Sequence, residues 1–557
     1  MAQKKQGFVF GALILMLSNI VVKVINALFK IPLANIIGDT AMGYFSSAYS
    51  IYSMCFLIST AGLPVAISRM IAAARAKENH REVGIIYKIS LSIFIVIGLL
   101  GTTLLFFAAD LIAAWAKEPE LGICIQTISP IMLFICIVSC TRGYFQGHQN
   151  MIPTAVSQVI EVLGNLLLGL TAGVFAKRRG FSNPKIAAFV LGGVVLGIVA
   201  SAIYMAFAKW LADRDNAVLP DPSLPVRSPK TLAKELVLIA IPITVSSSIL
   251  SLNSVIDSLL AVGTFNEACA EITYFSLEAA APVGMTLYGA YMAKAVTLFN
   301  LPPTIVYPFA ISIIPTISSA EAKKETSELR KTMDFTFRIV SVICLPCAFG
   351  LGVLAKPIID FLFSNNEAIY RNAAGMEFFS NSVVAPMLSV LACAILFSGL
   401  ISVSGAMLQA TGHAQVSILS TCCGVSTKAI LVLTLIRVPS IGHYGIPLST
   451  LGCFLVMFLF NMFFLAKYLN YRMSFRKILF KPLISAALCG AVALGGYFGL
   501  KEILSPSVAT LASIALAALT YVVALFKTRG FEENDVLQLP KGDAILRVLK
   551  KVHLIAK

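Results

Sequence analysis

Long apolar runs broken by short polar segments organise this chain. Fourteen stretches reach the roughly 20 residues needed to cross about 30 Å of hydrocarbon. They are 8–30, 44–68, 89–109, 123–141, 152–176, 186–208, 236–262, 284–316, 338–362, 380–408, 414–436, 444–466, 482–500 and 507–526. The pattern predicts an all-α polytopic membrane protein. The first stretch is read as a span, because no small-residue cleavage site and polar break follow it as they would a signal peptide. An even number of spans puts both termini on one side.

Composition agrees. Of 557 residues, 58% are hydrophobic and 13% charged, about half the charged share of soluble domains. So few charges cannot solubilise so much apolar surface, which excludes a water-soluble globule. The net charge of +16 would suggest nucleic acid in a soluble protein. Here the excess lies in loops, and no nucleic-acid partner is expected. Thirty Lys/Arg fall in the segments assigned to one side and nine in those assigned to the other. The positive-inside rule then puts both termini in the cytoplasm of a bacterial plasma-membrane protein. Arg142 is counted with the inner segments, and Lys177-Arg178-Arg179 is a basic cluster on the outer side. The twelve cysteines lie scattered in apolar runs and imply no disulfide framework.

A polar stretch, 213–234, with Pro220, Pro222, Pro225 and Pro229, divides six spans from the next six. The domains are read as a six-helix lobe over 1–212, a cytoplasmic linker over 213–234 and a second six-helix lobe over 235–470. Helices 13 and 14 follow over 471–527, with a cytoplasmic tail over 528–557. Gln146-Gly147-His148 is echoed by Gly412-His413, and Pro64-Val65-Ala66-Ile67-Ser68 by Pro315-Thr316-Ile317-Ser318. Each pair is six spans apart, as expected of a parallel repeat, a recurring transporter plan. In the tail, Ile545, Leu549, Val552 and Ile555 share a helical face with Arg547, Lys550 and Lys551 off it, suiting an amphipathic helix on an anionic leaflet.

Ionisable groups inside spans cost about 2.5–3.5 kcal/mol each on insertion scales and so face a cavity or a partner. Lys23, Lys30, Glu161, Asp257, Lys294 and Lys428 qualify. Asn19, Lys23, Asn26 and Lys30 form one stripe on the first span, expected to face a watery interior. Ser157, Glu161 and Asn165 repeat the pattern with opposite charge, and Glu161 either faces a cavity or pairs with a neighbouring helix. Asp257 sits on a Ser-rich seventh span and could bind a coupling cation or an interior lysine. The eighth span carries Lys294 and then Asn300, with Pro302, Pro303, Pro308 and Pro315 predicting a bent helix beside a cavity. Lys294 and Asn300 could offer a positive site there.

No phosphate-binding loop of the Gly-x-x-x-x-Gly-Lys-Ser/Thr type is present, and the five histidines form no metal-ligand motif. Cys344-Leu345-Pro346-Cys347 has redox spacing but an apolar setting, and is read as packing. The chain is not expected to be an enzyme or to carry a metal or cofactor.

Gly62-Leu63-Pro64-Val65-Ala66-Ile67-Ser68-Arg69, Leu287-Tyr288-Gly289-Ala290-Tyr291, Leu298-Phe299-Asn300-Leu301-Pro302-Pro303, Ile314-Pro315-Thr316-Ile317-Ser318, Gln409-Ala410-Thr411-Gly412-His413 and Leu539-Pro540-Lys541-Gly542 together carry a resemblance. The chain resembles the polysaccharide-transport branch of the multidrug/oligosaccharidyl-lipid/polysaccharide exporter superfamily, which includes SpoVB- and MurJ-type lipid II flippases. That resemblance implies two six-helix lobes around a central cavity, two extra C-terminal helices and alternating access. It implies transfer of an undecaprenyl-pyrophosphate-linked glycan, most simply lipid II, with cell-wall synthesis enzymes as possible protein partners. MurJ-type members line the cavity with cations in spans one, two and eight. Lys23 fits the first-span position and Lys30 a second loosely. Lys294 falls earlier than the family arginine, and span two has no cation before Arg69. Interior cations would stabilise a crossing pyrophosphate, and a membrane potential contributes about 2.3 kcal/mol per charge per 100 mV. Rival readings are export of another lipid-linked repeat unit, a cation-coupled multidrug exporter using Asp257 or Glu161, and a non-transporting scaffold for wall enzymes.

Overall fold

The computed structural model describes residues 18, 21–22, 25–26, 29–60, 62–215, 227–264, 283–312, 314, 317–318, 321, 326–371, 377–438, 441–531, 533, 535 and 546–547. Lys23, Asn19, residues 216–226 of the proline-rich connector and most of the tail lie outside them. The chain divides into two compact units, Met1–Glu267 with Ala279–Gly289, and Ala268–Glu278 with Ala290–Lys557.

In the first unit, α1 (Asp39–Thr60) and α2 (Leu63–Ala76) precede α3 (His80–Trp115), α4 (Leu121–Ile128), α5 (Ile131–Gly147), α6 (Ile152–Arg178), α7 (Asn183–Asp215) and α8 (Pro229–Ile256). A π-helical turn, Asp257–Ala261, continues α8, and α9 (Val283–Ala290) closes the unit. The second unit holds a π-helical segment, Tyr291–Val296, then α10 (Leu301–Ser312), α11 (Thr326–Val353), α12 (Ala355–Leu362), α13 (Ser380–Ala410), α14 (Ala414–Leu435), α15 (Gly445–Leu469), α16 (Lys481–Leu500) and α17 (Pro506–Lys527).

Ten of the described helices are long and apolar enough to cross a membrane, and they coincide with expected spans three to six and nine to fourteen. Their outward faces carry Leu104, Phe107, Phe463 and Leu519, each more than 60% exposed, as a lipid-facing surface requires. The protein is an all-α, multi-pass membrane protein. A small antiparallel hairpin, β1 (Ala368–Arg371) with β2 (Glu377–Phe379), interrupts the helical pattern between α12 and α13.

Three expectations need correction. The second expected span, 44–68, is not one helix: α1 ends at Thr60 and α2 restarts at Leu63, with Pro64 in its first turn, where a missing N–H does no harm. The eighth breaks earlier than its prolines suggested. A π-helical segment and a turn at Asn300 precede α10, whose first turn accepts Pro302 and Pro303 for the same reason. Arg142 is not a loop residue, because α5 runs on to Gly147 and buries it to 6% exposure.

Glycine explains one crossing. A Cβ on Gly289 would lie 2.0 Å from the Asp39 carbonyl oxygen, and one on Gly43 would lie 2.2 Å from that of Met285. Helices α1 and α9 therefore touch backbone to backbone, the close approach that small residues permit in membranes. Thr40 and Thr286 hydroxyls meet at 2.9 Å beside it. Outside the hydrocarbon, Asn79 caps α3 by accepting from the Glu82 N–H at 3.0 Å. Arg227, within the connector, donates to Glu82 at 2.9 and 2.6 Å and also pairs with Glu235. The hydrogen bond to Glu82 raises the guanidinium pKa further.

Candidate functional site

The charged residues of the spans fall into separate settings. In the first unit, α5 presents Arg142 to the polar stripe of α6. Ser157 and Glu161 are four residues apart and so share one helical face. Arg142 Nε donates to Ser157 Oγ at 2.8 Å, and Nη2 donates to Glu161 Oε2 at 2.9 Å. Ser157 Oγ donates to the Thr154 carbonyl at 2.7 Å, and Ser201 of α7 donates to the Ser157 carbonyl at 3.0 Å. The Asn165 amide, oriented to donate, reaches the Glu161 carbonyl at 3.0 Å and that of Val194 at 3.2 Å. The stripe read from the sequence is real, and it is buried in helix packing, with Ser157, Glu161 and Asn165 all below 9% exposure.

Ser18, ahead of α1 in the chain, donates to Gln158 Oε1 at 3.2 Å and so sits beside the same end of α6. An aromatic ladder on α1, Phe45, Tyr49, Tyr52 and Phe56, runs with ring centroids 5.4, 5.0 and 5.9 Å apart. Asn26 and Lys30 are helical and half-buried. Asp257 opens the π-helical turn after α8 and is buried, with 7% exposure.

In the second unit, Lys294 lies in the π-helical segment and is fully buried. Its Nζ donates to the Asn365 carbonyl at 2.8 Å, Ser380 Oγ at 2.7 Å and Asn381 Oδ1 at 2.8 Å. Asn381 Nδ2 in turn donates to Asp360 Oδ1 at 3.0 Å and the Phe363 carbonyl at 3.2 Å. Lys294 thus pins the start of α13 to the turn after α12. Asn300, the other half of the expected positive site, is exposed and ends the helix there. Lys428 of α14 is buried at 1% exposure.

Arg142 is the buried cation that sequence reading passed over. Its signal was present: Tyr144 and Phe145 continue the apolar run, so Arg142 had to be inside the helix. Among the described residues no cluster of metal-ligating side chains occurs.

This geometry, with polar and charged groups buried between long apolar helices, is that of a multi-pass membrane protein, and its fold matches solved structures of the multidrug/oligosaccharidyl-lipid/polysaccharide (MOP) superfamily. An inward-facing multidrug-resistance MATE-family transporter of that superfamily matches with a TM-score of 0.64 at 15% identity, over 82% of this chain and 99% of the other. The lipid II flippase MurJ, in an inward closed conformation, matches with a TM-score of 0.65 at 14% identity, over 92% and 98%. By sequence, the polysaccharide biosynthesis protein model matches residues 8–321, more than half the chain, and the chain belongs to that family. Stage V sporulation protein B of Bacillus subtilis is 25% identical over 552 residues, 96% of this chain and 98% of that one. The B. subtilis lipid II flippase MurJ is 24% identical over 500 residues, 86% of each.

Proposed function

We propose that the protein is a transporter, not an enzyme, that moves an undecaprenyl-pyrophosphate-linked glycan across the plasma membrane by alternating access, with lipid II as the leading substrate. The observation that carries this reading is the near full-length similarity to the B. subtilis lipid II flippase. Lysines within the helices support it, since Lys30, Lys294 and Lys428 suit an anionic head group better than a cationic drug, whereas Arg142 is already matched by Glu161. Lys23, Asn26 and Lys30 are assigned to the head-group path on the first span, with Lys294 and Asn300 on the eighth. Lys294 would act by holding α13 in place as much as by contact. Fourteen spans, two six-helix lobes and cytoplasmic termini belong to the same proposal.

The test is outer-leaflet lipid II in flippase-depleted cells, read with a probe that cannot cross the membrane. Expressing the protein should restore exposure, and Lys23→Ala or Lys294→Ala should lower it at equal membrane abundance. No restoration from well-expressed protein would overturn lipid II as substrate and leave another lipid-linked unit as the cargo. A second reading rests on Asp257, a buried carboxylate at a π-helical turn, as the ion site of a cation-coupled drug exporter. Ethidium resistance on overexpression, lost in Asp257→Asn, would favour it.

A further inference from the structure

The outer surface of the first unit carries a groove of about 870 Å³ between α6, α7 and α4. Leu168, Phe175, Phe189 and Leu196 form its apolar walls, each between 39% and 56% exposed. Its floor is open at Gly192, where a Cβ would meet nothing closer than Thr127 Cγ2 at 3.8 Å. One turn-side neighbour, Gly193, is different: a Cβ there would lie 2.6 Å from backbone of α6, so the two helices pack tightly beneath the groove.

The groove has a charged end. Lys185 lines it directly, and an adjoining depression sharing Thr171 and Phe175 is lined by Arg178 and Arg179. Arg179 sits over the Phe175 ring at 5.1 Å, joining the basic end to the apolar wall. Lys177, Arg178, Arg179 and Lys185 are all exposed, and no acidic residue occurs anywhere from Val162 to Ala212. Among the described residues no carboxylate pairs with any of the four cations. Three cations lining one end of an apolar channel, Arg178, Arg179 and Lys185, are a surface complementary to an amphiphile with an anionic head.

Length selects among such amphiphiles. Lys185 and Leu196 are eleven residues apart on α7, about 16 Å at 1.5 Å per residue. That is the depth of one leaflet of a hydrocarbon core about 30 Å thick. We infer that this groove is a binding site for an anionic diacyl phospholipid, with the phosphate on Arg178, Arg179 and Lys185 and the acyl chains along Phe175, Phe189 and Gly192. The basic cluster that stood against the charge pattern of the loops then has a role of its own: it grips a head group of the leaflet it faces.

The test uses the full-length chain reconstituted in vesicles of equal phosphatidylglycerol and phosphatidylcholine, extracted with a mild detergent, with the retained lipid quantified. Wild type should retain phosphatidylglycerol in several-fold excess. Arg178→Gln with Arg179→Gln and Lys185→Gln should abolish the excess, since each interfacial cation is worth about fivefold. Gly192→Leu, which leaves every charge in place, should reduce retention of phosphatidylglycerol by filling the floor. Circular dichroism and a monodisperse elution profile certify that both variants are folded. Equal retention of the two lipids by wild type, or an excess unchanged in both variants, would overturn the inference. So would displacement of phosphatidylglycerol by equimolar undecaprenyl phosphate, which would give the groove to the isoprenoid carrier instead.

Discussion

The two units solve the same packing problem with different buried cations. In the first, α5 packs on α3 and α7, and α6 packs on α7. In the second, α13 packs on α11 and α15, and α14 packs on α15. The second and eighth expected spans also each break and restart on a Leu-Pro step, Leu63-Pro64 and Leu301-Pro302, against α5 and α13 respectively. The neighbour relations repeat six spans apart. The polar groups within them do not. The first unit neutralises Arg142 with Glu161, whereas the second holds Lys294 on a backbone carbonyl, a hydroxyl and an amide oxygen. Helix neighbours recur between the units, while the groups that hold the buried cations differ.

That contrast predicts different responses to deletion. Removing one member of a buried ion pair strands the other, at about 3–5 kcal/mol. Arg142→Met should therefore lower the unfolding temperature steeply, measured by thermal denaturation in detergent. Arg142→Met with Glu161→Leu should recover most of the loss, because neither charge is then left alone. If the double variant were as unstable as the two single losses added, the pair would not be a coupled unit.

The lysine of the second unit tests a different arrangement, one built on hydrogen-bond acceptors at the start of α13. Lys294→Met removes the ammonium from three buried acceptors, at about 1–3 kcal/mol for each that finds no other donor. Lys294→Arg should not rescue it, since a planar fork cannot reproduce three bonds converging on one ammonium. No loss of unfolding temperature in Lys294→Met, or full rescue by Lys294→Arg, would show that these three bonds do not hold α13 in place.

Much of this fold was legible in apolar run length, because a lipid-spanning helix must be long and apolar whatever its neighbours. The elements misjudged were those where tertiary packing overrides that rule. Gly62 abuts the Ala240 carbonyl of α8, and Gly289 abuts α1, so the second and eighth spans are shaped by contacts that no local window contains. The stripe on α6 was visible as spacing, but its partner was not. Pairing of Arg142 with Glu161 depends on two helices meeting, and spacing within one helix is silent on that.

The His residues that first suggested a repeat offer the mildest test. His148 caps α5, and His413 follows α13. Each ring stacks on a tyrosine at 4.2 Å, Tyr144 and Tyr468 respectively, and a lysine lies over that tyrosine, Lys209 at 4.3 Å and Lys467 at 5.8 Å. His148 Nδ1 donates to the Tyr144 carbonyl at 2.9 Å. Burial pushes its pKa down from 6.5 to about 4; the Arg75, Lys209 and His80 charges act the same way, and the Tyr144 hydrogen bond opposes them. Above pH 6.5 the ring is neutral folded and unfolded alike. Between about 6.5 and 4 the unfolded chain binds a proton that the folded ring refuses, so stability should fall as pH falls through that window. His148→Gln should flatten this part of the unfolding-temperature profile while leaving the value at pH 8 nearly unchanged. A wild-type profile that rises toward pH 5, or one that His148→Gln leaves untouched, would show that this corner does not titrate as its surroundings require.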